Sequence, residues 1–256
     1  MDLKIAGKRA LVLGASRGLG RAVAEGLLAE GVQVIAVARK ADAIRDWAGN
    51  APGLTALSAD LTDLASIDAL VQAVLDGGGV DILVNNSGGP APGTAASAAR
   101  GDWLMQFEAM AANLFHLTSR LLPGMRARKW GRIITIASSG VEQPIPNLAL
   151  SNGIRAAVVG WSKTLAAEVA ADGVTVNIVM PGRIQTARVA ELDAAAAKRT
   201  GSTVEAVQKA SAAAIPAGRY GRPDEFAAMV VFLASETASY ITGSRMRVDG
   251  GAIRSI

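Results

Sequence analysis

Cysteine is absent from this 256-residue chain, and histidine occurs once, at His116. The first absence excludes a disulfide framework and a thiolate metal site. The second excludes a multi-histidine metal site, so no metal is expected. Aromatic residues make up 4% of the chain although half of it is hydrophobic; the core must therefore be aliphatic and alanine-rich. No apolar run reaches the roughly 20 residues of a membrane span. Met1-Asp2-Leu3-Lys4 leads straight into the first apolar run, without the apolar stretch of a secretory leader. No membrane partner is expected, and the cytoplasm is the expected location. The net charge is +4, but the cations are scattered. The cluster Arg126-Ala127-Arg128-Lys129 reads as a solvated helix end, so nucleic acid is not expected as a partner. An anionic small ligand suits that charge better.

What is present is a rhythm. Apolar runs at Ala10–Leu13, Val32–Ala38, Leu54–Ser58, Asp81–Val84, Arg132–Ala137, Val174–Val179 and Met246–Val248 read as strands. They are apolar on both faces, as in a parallel sheet covered on both sides. Helical patterns lie between them, at Gly18–Glu30, Thr62–Leu75, Arg100–Lys129, Leu148–Ala171 and Pro223–Ala234. Strict alternation predicts a doubly wound α/β fold, and no linker divides the chain, so residues 1–256 read as one domain. The segment Ile184–Ala217 breaks the rhythm, being Ala-rich, charged and helical. It follows the sixth strand, at the sheet edge where ligands bind. It reads as a lid over substrate, or as a helical pair that only packs.

The chain is organised around Gly14-Ala15-Ser16-Arg17-Gly18-Leu19-Gly20, which joins the first strand to the first helix. Glycine tolerates positive φ, and a bare backbone lets a pyrophosphate approach. The helix N-terminus offers unpaired N–H groups and the positive end of its dipole. The second strand ends on Arg39-Lys40 rather than on an acidic residue. With Arg17, these cations favour the 2′-phosphate of NADP over the free 2′-hydroxyl of NAD.

Further motifs follow in order: Asp60-Leu61, Asn85-Asn86-Ser87-Gly88, Leu122-Pro123-Gly124-Met125, Gly131-Arg132-Ile133-Ile134, Pro181-Gly182, Gly218-Arg219, Pro223-Asp224-Glu225 and Val248-Asp249-Gly250-Gly251. Together with the glycine turn they resemble the short-chain dehydrogenase/reductase family, nearest its 3-oxoacyl-carrier-protein reductase type, over essentially the whole chain. The resemblance implies a Rossmann-like sheet of about seven strands and usually a homotetramer. It implies a ketone substrate, either a small molecule or an acyl thioester. Cofactor contacts would come from Gly14, Ser16, Arg17, Gly18, Leu19 and Gly20, then Arg39, Asp60 and Leu61. Asn86 and Gly88 would line the cofactor wall, and Pro181, Gly182, Ile184 and Thr186 would surround the nicotinamide.

The catalytic positions depart from the family. The resemblance puts its Ser on Ser138. Its Tyr position falls on Ser151, its Lys position on Arg155, and its Asn position on Met110, with Asn113 one turn further on. A Ser hydroxyl is a far poorer acid than a phenol, and general acid catalysis typically contributes about 10²–10⁴-fold. Arg155 keeps the charge and can still bond a ribose, but it does not exchange protons near neutral pH. Other donors are few. Tyr220 reads as part of a surface turn, Tyr240 as structural packing, and His116 as a helix-packing residue. Ser151-Asn152 at the helix start also reads as a helix cap. Two readings stay open. One is an NADP(H)-dependent oxidoreductase with a non-standard site made of Ser138, Ser151, Arg155 and Asn113. The other is a dinucleotide-binding protein with lost or reduced catalysis. A carrier-protein-binding module using the basic helix end is a weaker third.

Overall fold

A computed structural model describes residues 1–256. Seven strands form a single sheet: β1 (Arg9–Leu13), β2 (Gln33–Ala38), β3 (Leu54–Ser58), β4 (Ile82–Asn85), β5 (Gly131–Ile136), β6 (Val174–Pro181) and β7 (Arg245–Val248). Their spatial order is β3-β2-β1-β4-β5-β6-β7, and every neighbouring pair is parallel. Nine α-helices join them: α1 (Gly18–Ala29), α2 (Asp42–Ala48), α3 (Leu64–Asp76), α4 (Arg100–Phe107), α5 (Asn113–Ala127), α6 (Ala149–Val169), α7 (Ala187–Thr200), α8 (Val204–Ala213) and α9 (Pro223–Leu233). None is long and apolar enough to cross a membrane.

The period-two alternation of each strand divides the core into two layers. Ala10, Val12, Val34 and Ala36 pack with Val23, Ala24 and Leu27 of α1 and with Phe226 and Val230 of α9. Leu11, Leu13, Ile35 and Val37 pack on the other face with Ile67 and Val71 of α3, Leu117 of α5 and Leu165 of α6. Each such buried aliphatic side chain contributes about 1.5–3 kcal/mol relative to exposure. Aliphatic packing on both faces is what an aromatic-poor chain can build. The chain leaves β1 for β2 on one side and returns to β4 on the other, so a crevice opens between the ends of β1 and β4.

Several expectations need correction. The long helix expected over Arg100–Lys129 is two helices with a π-helical turn between them, Glu108–Ala112. Helix α2 was not foreseen; at seven residues it is too short for a periodic pattern. Ser151 and Asn152 do not cap a helix, because α6 already begins at Ala149. Tyr240 does not pack: its side chain is fully exposed. His116 does hold helices together, with its Nε2 2.8 Å from Asp68 Oδ1 on α3. The cluster Arg126–Lys129 is a solvated helix end, the last turn of α5 and the residues just past it, where Arg126 and Lys129 both bond Asp172.

Candidate functional site

The glycine turn is built around one seam. Asn86, just past β4, donates from Nδ2 to the carbonyls of Leu13 (3.2 Å) and Gly14 (3.4 Å), closing the crevice at its base. Trp47 on α2 donates to the Ala15 carbonyl at 3.1 Å from behind. Gly14 and Gly18 have φ of 63° and 60°, values that L side chains rarely adopt. A Cβ on Gly20 would lie 2.2 Å from the Gly14 carbonyl oxygen. Gly20 therefore fits as packing beneath the turn and does not reach the cavity above it. The start of α1 is left open: Arg17 gives it no side-chain cap, and its first turn holds no acidic residue. Those amides are the kind of donors a pyrophosphate takes, so the turn fits a dinucleotide.

Above the turn lies a cavity of about 1050 Å³. It is lined by Gly14, Ser16, Arg17, Gly18 and Leu19, by Arg39 after β2, and by Asp60 and Leu61 after β3. Asn86 and Gly88 after β4, Ser138 after β5, Ser151 and Arg155 on α6, and Pro181, Gly182, Ile184 and Thr186 after β6 complete the expected set. Asn113 is not in the lining, although Met110 is. The intervening π turn is wider than an α turn and takes Asn113 off the face of Met110. Asn113 is instead buried and donates to the Leu61 carbonyl at 2.9 Å, supporting the cavity wall from outside.

At one end, Asp60 Oδ1 accepts from the Thr62 amide (2.9 Å) and hydroxyl (2.8 Å). These bonds, with a smaller contribution from nearby Arg39, hold its carboxyl below the usual range. Arg39 is exposed and makes no ion pair or side-chain hydrogen bond of its own. At the other end, Ser138 Oγ accepts from the Gly140 amide at 3.1 Å, which leaves its hydrogen to donate. Arg155 donates to the carbonyls of Ile136 (2.9 Å) and Ser87 (3.5 Å) and meets no carboxylate. Burial above all, and then neighbouring Arg188, push its guanidinium down to about 10, so it remains charged at neutral pH.

Helices α7 and α8 occupy the segment read as a lid. Thr186 caps α7 by accepting from the Val189 amide at 3.3 Å. The fully buried Asp193 pairs with Arg183 and accepts from the Tyr220 hydroxyl at 3.0 Å. Tyr220 is thus a half-buried anchor of α7 rather than part of a surface turn. Residues the sequence did not flag also face the cavity. Arg188 on α7 donates to the Pro90 carbonyl at 2.7 Å. The loop Gln143–Pro146 lines the far end. Asn152 grips that loop, donating to the Ile145 carbonyl at 2.9 Å and accepting from the Ile145 amide at 3.4 Å. One available signal was Arg188 itself, since a cation in the first turn of a helix opposes the dipole.

A family model described as enoyl-(acyl carrier protein) reductase matches residues 14–252. A 3-oxoacyl-[acyl-carrier-protein] reductase of Vibrio cholerae is 39% identical over 97% of this chain and 98% of its own length. L-sorbose reductase from Gluconobacter frateurii, solved with NADPH and L-sorbose, superposes with a TM-score of 0.94 at 35% identity, each chain covered completely. YwfH, an NADPH-dependent reductase involved in bacilysin biosynthesis, superposes with a TM-score of 0.92 at 30% identity, over 98% of this chain and 100% of its own. With the crevice between β1 and β4, the glycine turn and relatives along nearly its whole length, the chain belongs to the short-chain dehydrogenase/reductase family, on its 3-oxoacyl-acyl-carrier-protein reductase side.

Proposed function

We propose that this protein is an NADP(H)-dependent oxidoreductase that reduces a ketone, such as a 3-oxoacyl group, through a site of serines and arginine. The observation that carries the reading is a single cavity running from an unpaired cation, Arg39, past the open N-terminus of α1 to Ser138, Ser151 and Arg155. Arg39 and Arg17 take the 2′-phosphate, the α1 amides the pyrophosphate, and Asp60 with Leu61 the adenine. Bound there, the nicotinamide supplies a hydride. Ser138 donates to the substrate oxygen, and Arg155 holds the negative charge that develops on it. With no phenol in place, the proton comes from water entering past Ser151, whose hydroxyl makes no bond within the protein. The whole chain acts as one domain, with residues 184–217 as its lid.

A homotetramer goes with this reading. What supports it is the apolar face of α4, where Leu104, Met105 and Phe107 are 54%, 53% and 40% exposed. Light scattering in solution is the check.

The test of the activity is the purified protein with NADPH and a panel of 3-oxoacyl thioesters, diketones and oxo acids. Oxidation of NADPH above background with at least one ketone is expected. Tight NADPH binding with no oxidation would establish the second reading instead, a dinucleotide-binding protein with lost catalysis. The observation favouring that reading is that neither Ser151 nor Arg155 supplies a group that titrates near neutral pH.

A further inference from the structure

Cations outnumber carboxylates along the cavity. Arg183 is matched by Asp193, and Arg17 by Glu191 at 3.3 Å. Asp60 is occupied by Thr62. Two lining guanidiniums have no carboxylate within ion-pair distance, Arg39 and Arg155, one at each end. Arg39 is accounted for by the cofactor's 2′-phosphate. Arg155 lies at the reacting end, where the nicotinamide and its ribose are neutral in the reduced cofactor. The bonds it makes are to neutral carbonyls and leave guanidinium N–H groups unspent.

A second cation stands beside it. Arg188 donates to the Pro90 carbonyl and Arg155 to the Ser87 carbonyl, so the two guanidiniums hold opposite ends of one four-residue segment, Ser87–Pro90. A Cβ on Gly89, inside that segment, would touch Arg188 Nη2 at 3.4 Å. The nearest acid to Arg188 is Glu191, 3.6 Å away, and Glu191 is shared with Arg17. Arg188 also sits in the first turn of α7, whose dipole disfavours a cation. Two like charges line the same cavity, near enough for Arg188 to act on the Arg155 guanidinium, and the one carboxylate at hand is shared by Arg188 and Arg17. An anion arriving there relieves both the mutual repulsion and the desolvation.

Resting on the reading of the cavity as a ketone-reducing site, we infer that the substrate carries a carboxylate close to the reacting carbonyl, taken by Arg188 together with Arg155, so that the substrate is an oxo acid rather than a neutral oxoacyl thioester. The guanidinium fork suits a carboxylate's paired oxygens. The apolar far end, with Pro144, Ile145, Pro146, Leu192 and Ile253, receives the rest of the molecule.

The experiment compares matched probes that differ only in charge: 2-oxooctanoate and 4-oxooctanoate against their methyl esters, with a neutral 3-oxooctanoyl thioester of N-acetylcysteamine alongside. With NADPH and the unmodified protein, the acids are expected to exceed their esters at least tenfold in kcat/KM. Arg188→Gln is expected to bring the ratio near one by lowering the acid rate alone, and Arg188→Lys to keep part of it. Equal rates for acid and ester, a preference for the thioester, or an equal loss on both probes in Arg188→Gln would overturn the inference. A readout without turnover separates it from the activity itself. Calorimetric titration of the NADPH-loaded protein with each acid and ester is expected to show tenfold tighter binding of at least one acid, lost in Arg188→Gln. That result without any NADPH oxidation would remove the oxidoreductase reading and keep the anion site. No difference between acid and ester binding, including no binding of either, would remove the anion site whatever the activity.

Discussion

Arg17 in the glycine turn reaches across the cavity mouth to Glu191 on α7, with 3.3 Å between Nη1 and Oε1. The pair joins the glycine turn to α7 and occupies a cation that the cofactor's phosphate groups would take. Both side chains are about half exposed or more, so the pair is worth at most about 1 kcal/mol. Glu191→Gln should therefore tighten NADPH binding by roughly two- to fivefold. Fluorescence titration is the measurement; unchanged or weaker binding would mean that Arg17 does not compete between the two.

Arg39 makes no ion pair or side-chain hydrogen bond, so its removal breaks none and only eases its weak hold on the Asp60 carboxyl. Arg39→Asp should lower the NADPH-to-NADH preference at least tenfold, since hydrogen bonds to charged groups contribute about 1.5–3 kcal/mol each. Equal affinity for both cofactors before and after the change would disprove the 2′-phosphate assignment.

The serine-and-arginine site predicts an unusual pH profile. Ser138 and Ser151 do not titrate, and Arg155, held at about 10, stays charged through neutrality. The rate should be flat from about pH 6 to 9 and fall only as pH approaches 10 and Arg155 loses its proton. Installing the missing acid with the double change Ser151→Tyr and Arg155→Lys should raise kcat on a neutral ketone by about 10²-fold or more. A bell centred near neutrality in the unmodified protein would point to a proton donor other than these residues.

At the N-terminus of α9, Glu225 accepts from Arg219 and from the Arg222 amide, and these bonds pull its carboxyl down to about 2. The folded value lies below the unfolded one. Its contribution is thus present above about pH 4.5 and lost as pH falls toward 2. Glu225→Gln should flatten thermal stability against pH within that window and leave the neutral-pH curve parallel to that of the unmodified protein. An unchanged acid limb would refute the assignment.

Glycines can be sorted by the space around them. At Gly20 an added Cβ strikes the Gly14 carbonyl oxygen, whereas at Gly101 in α4 it meets open space. Gly20→Ala should lower Tm and weaken NADPH binding together. Gly101→Ala should raise stability by about 0.5–1 kcal/mol through helix propensity. Thermal melts with and without NADPH distinguish the two.

The strands, their parallel arrangement and the glycine turn were legible because they rest on local pattern: apolar runs, a two-residue period, and glycines where φ turns positive. The break at Glu108–Ala112 was not, because Glu-Ala-Met-Ala-Ala favours any helix and nothing in it signals a wider turn. The error over Asn113 follows directly, since the face assigned to it assumed an unbroken α-helix. Arg188 and Asn152 escaped for another reason. Their roles come from carbonyls at Pro90 and Ile145, distant in sequence or on a loop whose path no periodicity announces. Tyr240 was misplaced because an aromatic residue in an apolar stretch reads as core, whereas here it stands in a turn after the short helix Glu236–Ala238 and points to solvent.

The Asn86 seam also sets an order of assembly. Asn86 is 73 positions from Leu13, whose carbonyl it binds, and β1 has no partner on that side until Ile82 and the residues after it reach the sheet. The cofactor turn is therefore made before the residues that close it, and takes its final shape only when β4 joins β1. Such distant pairing makes closure slow. A nascent chain ending before β4 would carry every glycine of the turn and still have nowhere to seat a nucleotide. The ability to bind would arrive abruptly, with the strand that completes the crevice.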